Sequence, residues 1–268
     1  MRNISQENIA AARIPLPPIS EQQRLGSILD KADAIRRKRE EGIRLTEELL
    51  RSTFLEMFGD PATNPKGWKT AAVEDGLSRE RPGMRCGPFG TALRKEEYVS
   101  EGVPVWGIEN VQPNLFLEGG SLFISEDKYS SLSAYSVRAG DVLISRAGTV
   151  GRMCVAYPPE EHSIIGTNLI RVALDQAVIV PDYFTALFTY FADRVAGLRA
   201  SSDDGAYSFM QTGVLRHVRV PLPPVEKQRA YERFVELARR NQTRRKEGLE
   251  ASDLLFHSLV SRAFRGEL

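Results

Sequence analysis

A five-residue run near the start of the chain, Ile14-Pro15-Leu16-Pro17-Pro18, returns near its end as Val220-Pro221-Leu222-Pro223-Pro224, 206 residues later. The spacing holds well beyond the prolines. Leu25 maps to Tyr231, Ile28 to Phe234, Ala32 to Ala238, Glu41-Gly42-Ile43 to Glu247-Gly248-Leu249, Leu49-Leu50 to Leu255-Phe256, Ser52 to Ser258 and Phe58 to Phe264. Glu21-Gln22-Gln23-Arg24 breaks the register, since it matches Glu226-Lys227-Gln228-Arg229 best when shifted by one residue. Two copies of one long element around a dissimilar middle describe a scaffold that carries an insert, and the insert is where a variable function belongs.

The repeated element reads as helix. Ser20 with Gln23 three residues on fits a capping box, and Pro17-Pro18 fits the residues just before a helix. No proline follows until after Phe58. Apolar or small residues at 25, 28, 32, 35, 42, 46, 49 and 53 step by three and four, which makes a heptad seam broken at Arg39. The second copy puts Tyr231, Phe234, Ala238, Asn241, Gly248, Ser252, Leu255 and Leu259 in the same register. A helix of about 38 residues is roughly 57 Å long and needs a partner along its length. The other copy is the obvious one, so the pattern predicts a coiled coil with Leu25, Ile28, Leu49, Phe234, Leu255 and Leu259 at its interface. The basic runs Arg36-Arg37-Lys38-Arg39 and Arg244-Arg245-Lys246 interrupt the seam at matched places and read chiefly as solvated or ion-paired faces.

Between the helices the texture changes. Gly59-Asp60-Pro61 and Asn64-Pro65-Lys66-Gly67 are turn chemistry, and short apolar runs at 103–106, 141–144, 153–156 and 169–172 alternate with Gly, Pro, Asn and Asp. Pro181 to Leu198 reads as a helix. The boundaries implied are a leading segment 1–19, a first long helix 20–60, a globular α/β (α+β) domain 61–219, and a second long helix 220–268. Its loops carry arginines beside glycines: Arg85, Thr91, Arg94 and Lys95 around Gly87-Pro88-Phe89-Gly90, then Arg146, Thr149 and Arg152 around Gly148 and Gly151. Tyr207, Ser208 and Gln211 add polar and aromatic groups. Glycine lets a backbone approach closely, and arginine bonds bidentately to phosphate or to a guanine edge, so this pattern suits DNA.

These residues together resemble the specificity subunit of type I restriction–modification enzymes. I-P-L-P-P with E-Q-Q-R is similar to the opening of that family's conserved helix. G-P-F-G-T-A-L at 87–93 with Tyr98 and Gly102-Val103-Pro104-Val105 resembles the start of a target recognition domain. G-D-V-L-I-S-R-A-G-T-V-G at 140–151, followed by Thr167-Asn168-Leu169, resembles its central strand and turn. Family members usually carry two recognition domains, whereas this chain has one. Residues 1–13 look like the tail of another, with Ile9 matching Leu215 and Arg13 matching Arg219. The resemblance implies a half-subunit in which two long helices form an antiparallel coiled coil. It implies double-stranded DNA as ligand, methyltransferase and restriction subunits as partners, and a second copy or another half-subunit to complete a split target. It implies no cofactor on this chain, with S-adenosylmethionine and ATP held by the partner subunits. If two recognition domains sat on one coiled coil, helix length would set the spacer between two half-sites.

The residues themselves agree with a non-catalytic chain. No Pro-Pro pair is preceded by Asn or Asp and followed by an aromatic residue, as an adenine methyltransferase would need, and Pro181-Asp182 has no spaced acidic-x-Lys partner for nuclease chemistry. His162, His217 and His257 stand apart, and Cys86 and Cys154 show no metal or disulfide spacing. No apolar run is long enough for a membrane span, and a cytoplasmic location is expected. Two other readings remain open from sequence: an orphan or decoy scaffold without DNA readout, and a compact DNA-modifying enzyme.

Overall fold

The structure is a computed structural model that describes residues 16–119, 122–147, 150–195 and 212–267, apart from the side chains at 193–195, 241–247 and 250. In chain order its elements are α1 (Ile19–Phe58), β1 (Lys69–Ala72), β2 (Met84–Cys86), β3 (Tyr98–Val99), β4 (Val103–Trp106), β5 (Val111–Gln112), β6 (Leu115–Phe116), β7 (Leu122–Ile124), α2 (Glu126–Leu132), β8 (Val142–Ser145), β9 (Met153–Val155), β10 (Ile164–Ile165), β11 (Leu169–Val172), α3 (Pro181–Val195), α4 (Thr212–His217), β12 (Arg219–Leu222) and α5 (Val225–Arg265). The four apolar runs expected as strands are β4, β8, β9 and β11. The chain divides into two compact units, Met1–Leu49 with Arg240–Leu268, and Leu50–Arg239.

Both long helices start in one way. Proline has no N–H to lose, and its carbonyl is free to accept the first helical bonds. The Pro18 carbonyl accepts from the N–H groups of Glu21 and Gln22 at 2.9 and 3.0 Å, and the Pro224 carbonyl from Lys227 and Gln228 at 2.9 and 3.2 Å. Gln22 Nε2 then reaches back to the Pro17 carbonyl at 2.8 Å, and Gln228 Nε2 to the Pro223 carbonyl at 2.8 Å. The expected one-residue slip is therefore absent from the structure: Gln22 and Gln228 are equivalent at a spacing of 206. Ser20 lies inside α1, and Gln22 rather than Gln23 closes the turn.

In the first unit the two helices run antiparallel. The Arg36 guanidinium lies 5.7 Å from the Phe256 ring, and Arg39 lies over Gly248, where an added Cβ would meet its Nη1 at 1.9 Å. Ala32 and Ser252 are buried in the seam, with Leu25, Ile28 and Leu259 partly buried. Leu49 and Leu255 depart from the expected interface, being 52 % and 54 % exposed. Neighbouring helical residues point about 100° apart, so only one of an adjacent apolar pair can face inward. In both copies it is the second, Leu50 and Phe256. Phe234 also departs from the expected interface: it lies in the second unit and packs against that unit's own core. The outer face of α1 is laced with ion pairs: Glu21–Arg24 at 2.6 Å, Asp33–Arg36 at 2.8 Å, Asp33–Arg37 at 2.7 Å and Glu41–Arg44 at 2.5 Å. Much of the basic run at 36–39 is thus neutralised within the chain.

The second unit is built on two four-stranded sheets, ordered β2-β11-β8-β9, which is antiparallel throughout, and β10-β4-β7-β3, in which β10 and β4 are parallel. Along the first sheet side chains alternate between two cores. Met84, Val142, Ile144, Met153, Ile170 and Val172 face one, while Leu143, Cys154 and Leu169 face Trp106, Phe116 and Ile165 in the other. The larger core holds the ends of both long helices. Phe54 is fully buried among Phe58, Phe191, Tyr183 and Tyr231, with ring centroids 4.9–5.6 Å away. Burying one such side chain stabilises by about 1.5–3 kcal/mol. Strand β1, just after α1, pairs antiparallel with β12, just before α5, so that Thr70 faces Pro221. Gln228 is buried beneath them: its Oε1 accepts from the Val180 N–H at 2.9 Å and its Nε2 donates to the Val178 carbonyl at 3.1 Å. Arg239 Nη2 pairs with buried Asp182 at 2.5 Å, and burial pushes that carboxyl upward from its ordinary range while Arg239 opposes the shift.

Candidate nucleic-acid interface

Because the β2-β11-β8-β9 sheet is antiparallel, one of its ends collects the C-terminal ends of β2 and β8 and the N-terminal ends of β11 and β9. The glycine-rich segments named from sequence therefore converge there. Gly87 N–H donates to the Leu169 carbonyl at 2.9 Å, Arg146 N–H to the Asn168 carbonyl at 2.8 Å, and Gly151 N–H to the Ser145 carbonyl at 3.0 Å. Gly87 is required by close approach, since a Cβ would stand 1.9 Å from the Gly166 carbonyl oxygen. Gly90 sits at φ +55°, a turn that exposes Phe89 before it.

Two arginines are held in place at this end. The Arg146 guanidinium stacks 4.8 Å from the Phe89 ring, itself 54 % exposed. Arg152 donates from Nη1 to Gln112 Oε1 at 3.2 Å, while its N–H is fixed by Ser145 Oγ at 3.0 Å. Among the described residues no carboxylate forms an ion pair with either. A guanidinium fixed by a ring or an amide, rather than neutralised by an acid, keeps charge and donors for an outside acceptor. Thr91 lies in the turn after Phe89, and Arg94 and Lys95 follow it, all three exposed, while buried Leu93 anchors the segment between them. Arg94 N–H donates to Glu97 Oε2 at 2.7 Å, and Glu97 also pairs with Lys128 at 2.7 Å.

Arg85 is placed apart from that end, in the middle of β2. It stacks 4.7 Å from the Tyr135 ring and lies opposite Arg171 across the β2–β11 ladder. Arg171 is buried, with Nη1 on the Ser136 carbonyl at 3.1 Å and Nη2 on the Pro82 carbonyl at 2.7 Å. Burial draws its guanidinium down to about 10. Asp141 pairs with Arg81 and accepts from the Arg138 N–H at 2.8 Å, and burial holds its carboxyl above the ordinary range. Arg81 and Asp141, with Arg79, Arg138, Asp175 and Gln176, line a polar cleft of about 480 Å³ at the other end of the sheet. Sequence reading missed Phe89, Gln112 and Asn168 as neighbours of the arginines. Phe89 carried a signal, being an aromatic between two glycines, but Gln112 meets Arg152 only through the fold. Thr149, Tyr207, Ser208 and Gln211 lie outside the described residues.

Each of the three histidines has a local partner. His162 stacks 4.4 Å from Tyr129 and meets Glu126 at 3.2 Å, and His217 and His257 bond to the Gly213 and Asp253 carbonyls. No group of three metal-ligating side chains occurs among the described residues, and no helix there is long and apolar enough to cross a membrane. Cys154 is buried, which pushes its thiol upward and away from the reactive thiolate.

No protein-family model matches the chain. Among curated proteins it is 22 % identical over 238 residues to the type I restriction enzyme MjaVIII specificity subunit of Methanocaldococcus jannaschii, covering 84 % of this chain and 54 % of that one. It is 20 % identical over 296 residues to the type I restriction enzyme EcoBI specificity subunit of Escherichia coli, covering 100 % of this chain and 61 % of that one. The fold is shared with solved structures. The HsdS subunit from Thermoanaerobacter tengcongensis superposes with a TM-score of 0.53 at 21 % identity over 100 % of this chain and 65 % of that one. The S subunit of the type I system from M. genitalium does so with 0.57 at 16 % identity, over 98 % and 66 %. The resemblance to type I specificity subunits thus runs the whole length of this chain, which spans between about half and two-thirds of the length of those relatives.

Proposed function

We propose that the chain is a half-length DNA specificity subunit of a type I restriction–modification complex. It supplies one recognition domain and the helical pair on which partner subunits assemble, and catalyses nothing itself. The observation that carries the reading is the end of the antiparallel sheet, where Arg146 and Arg152 are positioned by Phe89 and Gln112 without a neutralising carboxylate. Those guanidinium groups, with Arg94, Lys95 and Thr91 beside them, read one half-site in double-stranded DNA. Arg85 and the groups at 149, 207, 208 and 211 complete the contact set. Methyltransferase subunits bring S-adenosylmethionine and act on adenine; a restriction subunit brings ATP and cleaves. A second copy or another half-subunit supplies the other half-site.

The test is mapping of methylated adenines in cells that carry the chain with its methyltransferase partner. Replacing a base-reading arginine costs roughly 1–3 kcal/mol and relaxes one position of the motif, whereas replacing a phosphate contact weakens all sites alike. Alanine at Arg85, Arg94, Arg146 and Arg152 together with an unchanged motif and affinity refutes the assignment. Transfer of a methyl group by the isolated chain would refute the non-catalytic reading.

A further inference from the structure

Arg152 is aimed by Gln112, so whatever holds Gln112 helps to aim Arg152. Gln112 belongs to the β5–β6 hairpin, in which Val111 pairs with Phe116 and Gln112 with Leu115. The buried side chains of Val111, Leu115 and Phe116 anchor its base. A ribbon that short does not fix its own tip, because its few bonds do not offset the entropy of ordering it. The tip, Pro113-Asn114, is fastened from outside instead. Asn114 stands at φ +57°, and its N–H donates to the carbonyl of Met153, the residue after Arg152, at 2.9 Å. Its Nδ2 donates to the Tyr190 hydroxyl at 2.9 Å, and its carbonyl accepts from Arg239 Nε at 3.3 Å.

Arg239 lies on α5 within the second unit and is itself firmly held. Its Nη2 pairs with buried Asp182 at 2.5 Å, its guanidinium lies 5.5 Å from the Tyr157 ring, and its side chain is 16 % exposed. An ion pair alone asks for one cationic nitrogen, which lysine supplies as well. The Nε of arginine is a second donor with its own direction, and here it goes to the hairpin tip. A continuous path of fixed groups therefore runs from Asp182 through Arg239 and Asn114, along the hairpin, to Gln112 and Arg152.

We propose that Arg239 and Tyr190 are positioning residues for DNA readout: they hold the hairpin tip so that Gln112 keeps the Arg152 guanidinium on one base. The proposal rests on the reading of Arg152 as a DNA contact. A base-reading side chain must stay within about 0.5 Å of its productive place, which requires that its neighbours be locked in turn. Losing a tip bond leaves the buried base of the hairpin intact, gives Gln112 freedom and spreads Arg152 over several orientations. Attraction to phosphates survives, because the charge is unchanged, while discrimination between bases falls.

Arg239→Lys is the informative change. Lysine has carbon where arginine has Nε and keeps a cation for Asp182, so it deletes the Asn114 bond and spares the ion pair. Methylated adenines are mapped in cells that carry the whole chain with its methyltransferase partner, for the parent and for Arg152→Ala, Gln112→Ala, Arg239→Lys and Tyr190→Phe. Arg152→Ala relaxes one position of the motif. Arg239→Lys relaxes that position and no other, with discrimination there falling about three- to tenfold, and Tyr190→Phe does so by less. Arg239→Lys added to Gln112→Ala relaxes it no further than Gln112→Ala alone, because both act through one contact. A merely structural role would lower Tm and weaken all sites alike. Arg239→Lys that leaves that position sharp, or weakens every site equally, overturns the proposal. Should that variant not fold, Tyr190→Phe with an unchanged motif overturns it. Arg152→Ala with an unchanged motif is a distinct result, which refutes the reading of Arg152 itself and the proposal with it.

Discussion

Replacing Gln228 by alanine removes one side chain that makes three buried bonds, and the structure sets the size of the effect. The Val180 N–H loses its acceptor while staying buried, which costs about 1–3 kcal/mol. The Val178 and Pro223 carbonyls each lose a donor, at about 0.5–1.5 kcal/mol apiece. Backbone relaxation and water recover part of this, so a net loss of about 2–5 kcal/mol is expected, a large share of a typical domain's stability. For a cooperative unit of this size each kcal/mol lowers Tm by roughly 2–4 °C, which puts the variant about 5–15 °C below the parent. Gln228→Met keeps the volume and should fall nearly as far, because the missing bonds rather than a cavity carry the loss. Gln22→Ala breaks the equivalent exposed bond and should move Tm by only about 1–3 °C. Thermal unfolding followed by circular dichroism, with denaturant midpoints as a check, reads all three. A Gln228→Ala protein that melts within about 2 °C of the parent refutes the reasoning, as does a Gln22→Ala protein that falls equally far.

Four further outcomes are expected. Phe89→Ala frees the Arg146 guanidinium and should weaken DNA binding by the assembled complex while leaving Tm nearly unchanged, since Phe89 is 54 % exposed; gel-shift titration beside a melt separates the two. Leu50→Asp should prevent folding of the larger unit by burying an unpaired charge, whereas Leu49→Asp should melt close to the parent, and equal effects would restore the first seam. Hydrogen bonds from Arg24, Arg36 and Arg44 hold the Glu21, Asp33 and Glu41 carboxyls below their ordinary range, so their stabilisation is present above the unfolded pKa of about 4 and lost as pH falls through the lowered folded values; burial raises Asp141 and Asp182, whose contribution is present below that pKa and lost as pH rises through the raised ones. Amides of α1 should therefore lose protection before those of β8 on acidification from about pH 5 to about pH 3, despite the opposing contribution of Glu97, and the reverse order would contradict the assignment. A thiol reagent should modify half-buried Cys86 and spare Cys154 until the domain unfolds, as mass spectrometry would show.

The long helices and the insert between them were legible because each rests on periodicity and proline placement, which are local. The one-residue slip at Glu226-Lys227-Gln228-Arg229 was a false match. Identity of letters favoured it, but the side-chain bond back to the second-last proline fixes Gln22 against Gln228. Leu49 and Leu255 were misplaced because two adjacent apolar residues, Leu49-Leu50 and Leu255-Phe256, satisfy a three-and-four pattern equally well, and only packing chooses between them. At the candidate site the glycines and arginines were visible as types. Which arginines share a sheet end was not, since that depends on strand pairing: Arg85 and Arg146 look alike in sequence, yet one lies mid-strand over Tyr135 and the other on a loop over Phe89. The pair Arg81–Asp141 joins positions too far apart in sequence for any local signal.

The pairing of β1 with β12 means that the insert leaves and rejoins the helical scaffold through neighbouring strands. A segment whose two ends meet can be exchanged as a cassette. Its replacement need only bring a first and a last strand side by side, accept the Gln228 carbonyl oxygen on a backbone N–H, and offer an aromatic face to Phe54 and Tyr231. Everything at the far loops is free to vary without disturbing that joint. Under the proposed function, a lineage carrying such a chain acquires a new address on DNA by a single crossover within the cassette.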